Sequence, residues 1–234
     1  MNSIIWQGVT STTLQGLLIC ELPPITKPEM RTKETVIDGR DGSTIEELGY
    51  ASYIKTVTIG LHGNFDINKV IKYFTGEGDV IFSNEPNKVY KAKICGKIDY
   101  TRLLRYRQAS IPFLVQPFKY KLNEYLRETQ DADIENSYFE VFNEGFENSK
   151  PLLVLKGSGT VEISVNGLPT FGYTFPEGEN EVYIDSEKED AYLGDVLKNR
   201  NMNGEFPILI PKTNIIRWSG DVESISILPR SRWL

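Results

Sequence analysis

Residue types that chemistry uses are present in this 234-residue chain, but their spacing fits few reactions. Asp38-Gly39-Arg40-Asp41-Gly42-Ser43 sets two carboxylates beside two glycines. A calcium loop needs oxygen ligands at alternate positions, a glycine sixth and a glutamate twelfth. Here Arg40 stands third and Gly42 fifth, so the segment reads as a tight turn. Gly76-Glu77-Gly78 and Gly157-Ser158-Gly159 lack the third glycine, or the Gly-Lys-Ser/Thr ending, of a phosphate-cradling loop. His62 is the only histidine, and no Gly-x-Ser-x-Gly elbow supplies it with a nucleophile. Cys20 and Cys95 with one histidine do not complete a structural zinc site. Both thiols are expected to be free and buried in strands. Carboxylates cluster at Glu46-Glu47, at Asp131, Asp133 and Glu135, and at Glu187, Glu189 and Asp190. Glycosidic chemistry needs two of them facing across a cleft; polar surroundings favour solvated turns. The expectation is therefore no enzyme, no cofactor and no metal.

Two groups are better suited to binding. Trp218, with Tyr173 and Tyr183, could form a sugar-stacking platform on a β-sandwich, although strand aromatics more commonly pack in cores or at edges. Arg102, Arg105 and Arg107 interleave with Tyr100 and Tyr106. That run suits inter-subunit ion pairs, plain solvation, or nucleic-acid contact by charge and stacking. The net charge of −6, from 32 acidic and 26 basic residues, argues against tight duplex binding. No signal peptide is readable at the N-terminus, and no apolar run approaches the roughly 20 residues that span a bilayer.

The elements that must position these groups are mostly strands. Val57, Ile59 and Leu61 alternate with Thr56, Thr58 and Gly60; Val161, Ile163 and Val165 alternate with Thr160, Glu162 and Ser164. Asn166-Gly167 follows as a hairpin signal, with Val182 and Ile184 in the next strand. Ile225 and Ile227 alternate with serines until Pro229. One helix is expected at about 67–75, where Ile67, Val70, Ile71 and Phe74 share a face, Asp66 caps the start and Gly76 closes the end. Another turn or two is possible at residues 122–127. Residues 76–94 read as strand, turn at Asn84 to Asn87, strand. Residues 102–117 read as one extended segment stopping at Pro117. Residues 27–53 are polar, without clear period, and long enough to imply gripping something. Composition shifts after residue 120, so two domains are expected, 1–130 and 131–234. The fold class is mainly all-β, two β-sandwiches, the first carrying the single helix.

In sequence order, three blocks resemble the distal tail proteins that form the baseplate hub of long, non-contractile-tailed phages. The first holds Gly8, Ser11, Gly16, Pro23-Pro24 and the Asp38–Gly42 turn. The second is residues 67–94 with 112–120. The third begins at residue 139 and ends with Asp185, Ala191-Tyr192, Lys198-Asn199-Arg200, Gly204–Pro207, Pro211, Asn214–Ile216, Trp218, Gly220, Pro229-Arg230 and Trp233-Leu234. The resemblance implies a tail-tube-like first domain that assembles as a ring of six and a galectin- or carbohydrate-binding-module-like second domain. It implies a structural virion protein at the tail tip, made in the host cytoplasm. Its partners would be further copies, tail-tube or tail-terminator-side subunits, and a tail-tip lysin or fibre protein. DNA would pass through the hole without sequence-specific contact, and no membrane would be entered. Residues 28 to 50 would reach the adjacent subunit, with Arg31, Arg40 and Asp41 as polar anchors and Arg102 and Arg105 as further interface candidates. A competing function is a carbohydrate-binding adhesion module acting through Trp218 and Tyr173. A wall-degrading hydrolase using Glu187 or Glu189 is the third.

Overall fold

The structure, a computed structural model, describes residues 1–124, the backbone of 127–128, and 137–234. It is mostly β and divides into two compact units, Met1–Leu122 and Asn123–Trp233. The expected boundary at residue 130 and the Asp131, Asp133, Glu135 cluster lie outside the described residues, as do residues 125 and 126 of the possible turn at 122–127.

In the first unit the strands are β1 (Ile4–Trp6), β2 (Val9–Thr10), β3 (Leu17–Glu21), β4 (Met30–Val36), β5 (Ser43–Tyr50), β6 (Tyr53–Leu61), β7 (Glu77–Phe82), β8 (Lys88–Lys93) and β9 (Gln108–Lys121). Seven form an antiparallel sheet in the order β2-β1-β7-β8-β9-β6-β3, while β4 and β5 pair only with each other. Period-two alternation puts Val57, Ile59, Val80, Phe82, Ile111, Phe113 and Val115 on the buried face. Helix α1 (Ile67–Tyr73) covers that face with Val70, followed by Phe74; its first turn is capped by Asp66, which accepts from the amides of Asn68 and Lys69.

Phe113 lies at the centre of this core. Its ring meets Trp6 at 5.2 Å, Phe82 at 5.9 Å and Phe74 at 6.4 Å, all edge to face. Phe113→Ala removes the shared partner of three large rings and is expected to destabilise the first unit by about 3–5 kcal/mol, read from chemical unfolding. An unchanged transition would show that the cluster repacks without it.

Three expectations about this unit need correction. A second helix, α2 (Tyr100–Tyr106), occupies the start of the segment read as extended. Asp99 caps it by accepting from the Arg102 amide at 2.8 Å, Leu103 is its one buried residue, and Arg107 ends it with a left-handed φ of 60°. One buried position gives no readable period. Next, β9 does not stop at Pro117 but continues to Lys121. Its register against β8 shifts between Tyr90 and Ala92, whose partners are Lys119 and Val115. The bulge absorbs Pro117, which has no N–H to give a ladder. Finally, both cysteines are exposed: Cys20 sits past the buried Leu17 and Ile19 of β3, and Cys95 follows the end of β8.

The second unit contains β10 (Arg127–Glu128), β11 (Tyr138–Asn143), β12 (Leu152–Val165), β13 (Leu168–Thr174), β14 (Glu181–Asp185), β15 (Asp190–Leu193), β16 (Val196–Leu197), β17 (Met202–Gly204) and β18 (Lys212–Leu228). Its axis is the long antiparallel pair β12–β18. One end of β12 pairs with β14 and the other with β13, so the sheet curls between the two. Register shifts at Lys156/Gly157 and Ser158/Glu162 mark the bend. Glycine is required there: a Cβ on Gly157 would lie 2.3 Å from the Asp221 carbonyl oxygen, and one on Gly220, at φ 94°, 2.4 Å from that of Thr160. Leu153, Leu155, Val161, Ile163, Ile216, Ile225 and Ile227 point into the enclosed core. No helix among the described residues is long and apolar enough to cross a membrane.

Candidate interaction surface

Among the described residues, the β4–β5 hairpin holds the longest unbroken run of exposed positions. Its register runs from Met30↔Tyr50 to Val36↔Ser43, closed by a turn with Gly39 and Gly42 at φ 80° and 81°. Residues 31–49 are all exposed, including Val36 at 71%, Ile45 at 64%, Ile37 and Leu48. At roughly 3.3 Å per residue the strands make an arm about 25 Å long. Two-stranded hairpins are marginal in water alone; within this one the Arg31 guanidinium donates to the Leu48 carbonyl at 3.0 Å and Lys33 and Glu46 approach to 3.8 Å, and at its root Tyr50 meets Phe118 of β9 edge to face at 5.9 Å. Exposed ion pairs of that kind contribute about 0–1 kcal/mol. A largely polar arm that nonetheless exposes Val36, Ile37, Ile45 and Leu48 is a surface suited to packing on something else.

The candidate residues fall into separate groups. Arg31 sits near the root of the arm, and Arg40 and Asp41 form its tip. Arg102 and Arg105 project from α2 into a shallow cleft of about 410 Å³ shared with Asp99, Thr101 and Tyr106. No hydrogen bond or ion pair joins the arm set to the α2 set among the described residues. Arg107 lies over the Phe65 ring at 4.9 Å, half-buried Tyr100 packs on the core, and Tyr106 is exposed.

The sugar platform is not assembled. Tyr173, at 1% exposure, points into the core beside Phe175 at 5.0 Å, and Trp218 is half-buried against Phe139 at 6.1 Å. Tyr183 stacks on Tyr192 at 5.5 Å. The carboxylates offered for hydrolysis are engaged in ion pairs, Glu189 with Lys150 at 3.1 Å and Glu187 with Arg230 at 3.5 Å. His62 is exposed, and no nucleophile bonds its imidazole among the described residues.

Sequence reasoning missed the Asp185–Arg230 pair. Asp185 is buried at the end of β14, where both its oxygens accept from the Arg230 guanidinium, at 2.5 and 3.0 Å, and Oδ1 also accepts from the amides of Glu187 and Lys188. Burial alone would raise its pKa; the Arg230 bonds and charge and the two amides outweigh that and hold it below the usual carboxylate value. Two residues 45 positions apart leave no local signal.

No family model and no curated protein matches this chain. Its fold does match a solved structure, the crystal structure of the SPP1 Dit (gp 19.1) protein, presented as a paradigm of the hub adsorption apparatus in phages that infect Gram-positive bacteria. The TM-score is 0.73 over 97% of both chains, at 14% sequence identity. At that identity the likeness is one of fold.

Proposed function

We propose that this chain is a distal tail protein, a structural hub subunit of a siphophage tail tip rather than an enzyme. The observation that carries the reading is the fold likeness over 97% of both chains, which spans both units. The exposed arm supports it independently, because a ring closes through heterologous contacts in which each subunit reaches the next. In this reading six copies form the ring, the β4–β5 arm packs on the neighbouring copy, and Arg40 and Asp41 make its polar contacts. The first unit is the tail-tube-like ring domain and the second the galectin-like one. The hub joins tail-tube or terminator-side subunits to the tail-tip lysin or fibre protein and lets DNA pass. The adhesion alternative is disfavoured, since one of its two platform aromatics lies in a core.

Light scattering coupled to negative-stain microscopy, over a concentration series of the full chain, tests this. The expected result is a closed ring with six-fold symmetry and an open centre. A strict monomer at every concentration, also in the presence of tail-tube subunits, would overturn the ring.

A further inference from the structure

The segment that launches the arm is held in an unusual way. Residues 22–29 join β3 to β4 and include Pro23, Pro24 and Pro28. Prolines have no N–H, so such a stretch is poorly suited to a sheet ladder, and its carbonyls need donors from elsewhere. Three side chains of the main sheet supply them. Asn84, in the β7–β8 turn, donates to the Pro23 carbonyl at 2.9 Å; Lys55 donates to that of Pro24 at 2.8 Å; and the Tyr53 hydroxyl reaches that of Thr26 at 3.5 Å. Tyr53 and Lys55 are two apart on β6 and so share a face.

Lys55 is the anomaly among the three. It is 3% exposed, in step with the buried Val57 and Ile59. Its ammonium sits within 5.0 to 5.9 Å of the Tyr90, Tyr53 and Phe82 rings. The nearby Glu85 carboxylate is already taken: Lys119 donates to it at 2.6 Å, and the Tyr90 hydroxyl donates to its other oxygen. Two ammoniums therefore share one carboxylate in a largely buried place. Burial lowers the Lys55 pKa most, Glu85 opposes that, and Lys119 lowers it further. For Glu85 burial works upward, but the bonds from Lys119 and Tyr90 hold its carboxyl below the usual range. A lysine kept here only for packing would be better replaced by an apolar chain of similar size. What the charge adds is a strong, directional bond to one carbonyl of the arm's leading segment.

We propose that Lys55, steadied by Glu85, Lys119 and Tyr90, is a positioning residue that locks the root of the β4–β5 arm to the sheet and so fixes the arm's angle of departure. The lock is a property of the single chain; its consequence for assembly rests on the arm being the contact between copies.

Lys55→Met keeps the stem and removes the donor. In a background with Cys20 and Cys95 changed to Ser, spin labels at Thr44→Cys on the arm and Glu77→Cys on the sheet report the arm's posture by pulsed electron resonance. Labelled chains are diluted into unlabelled protein so that only distances within one chain are read, at a total concentration too low for ring assembly so that no neighbouring copy holds the arm. The expected result is a distance distribution at least twice as broad in Lys55→Met. Asn84→Ala and Tyr53→Phe, which remove the two companion bonds, are expected to broaden it less singly and comparably together. A folded Lys55→Met with the narrow distribution of its parent overturns the lock. Should Lys55→Met not fold, a narrow distribution in the Asn84→Ala, Tyr53→Phe double variant does the same. A broadened arm in a chain that still closes normal rings upholds the lock and instead removes the arm from the proposed contact between copies.

Discussion

Arg230→Ala is expected to destabilise the second unit by about 3–5 kcal/mol, the range for breaking a buried pair by removing one partner. The loss does not measure the worth of the attraction. Asp185 is 1% exposed, so without the guanidinium its carboxylate keeps the Glu187 and Lys188 amides and the solvent-exposed Lys188 ammonium at 3.8 Å, and stays desolvated. Against a typical domain stability of 5–15 kcal/mol, that is a large fraction, readable as a lower urea midpoint. Replacing both partners, as Asp185→Leu with Arg230→Met, removes the unpaired charge and is expected to recover much of the loss. The pH dependence separates the cases. In the parent, the depressed Asp185 pKa contributes stability that is full above the unfolded value of 3.8 and is lost as pH falls through the folded value. In Arg230→Ala the buried carboxyl is expected to titrate above its unfolded value, so folding takes up a proton and acid helps the variant. The gap between parent and variant should therefore narrow as pH falls toward 4. A gap constant from pH 7 to 4 would show that Arg230 acts by packing.

How far this architecture was legible follows from which side chains face a core. Val57, Ile59 and Leu61, or Val161, Ile163 and Val165, declare their strands because one face is buried and the other wet; Ile67, Val70 and Phe74 declare a helix in the same way. The arm has no buried face in its own chain, so β4 and β5 carry no alternation and read as a polar excursion. α2 buries one leucine, too little to set a helical period, so its residues read as part of an extended segment. Parity did hold two unused signals. Phe171, Tyr173 and Phe175 alternate with Gly172 and Thr174, which already aims Tyr173 inward and away from any sugar. Lys55 keeps step with Val57 and Ile59, and a charge at core parity marks a buried polar role. The Asp185–Arg230 pair and the Glu85–Lys119 pair, 45 and 34 residues apart, each tie a strand residue to a distant turn or connection, so only the folded chain brings them together.

Deleting the arm is the change with the largest expected effect on assembly. Replacing residues 31–49 by a short glycine linker leaves the seven-stranded sheet intact, since none of those residues is buried in it. At concentrations too low for parent rings to form, the midpoint of unfolding is expected to move by no more than about 2 °C, equivalent to less than about 1 kcal/mol. Self-association should fail. Covering even part of Val36, Ile37, Ile45 and Leu48 on a neighbour is worth about 4–6 kcal/mol at about 1.5–3 kcal/mol for each fully buried side chain. Losing it weakens each contact on the order of a thousandfold or more, and in a closed ring the loss recurs at every interface. Arg40→Glu with Asp41→Arg is the milder probe: it keeps the arm and inverts its tip, and should slow or weaken ring closure in a salt-dependent way. The two variants bear on different claims. Rings from the arm-deleted chain would move the interface elsewhere, with Arg102 and Arg105 of α2 as the next residues to reverse. Rings from the tip variant alone would leave the arm in place as an apolar contact and remove Arg40 and Asp41 from it.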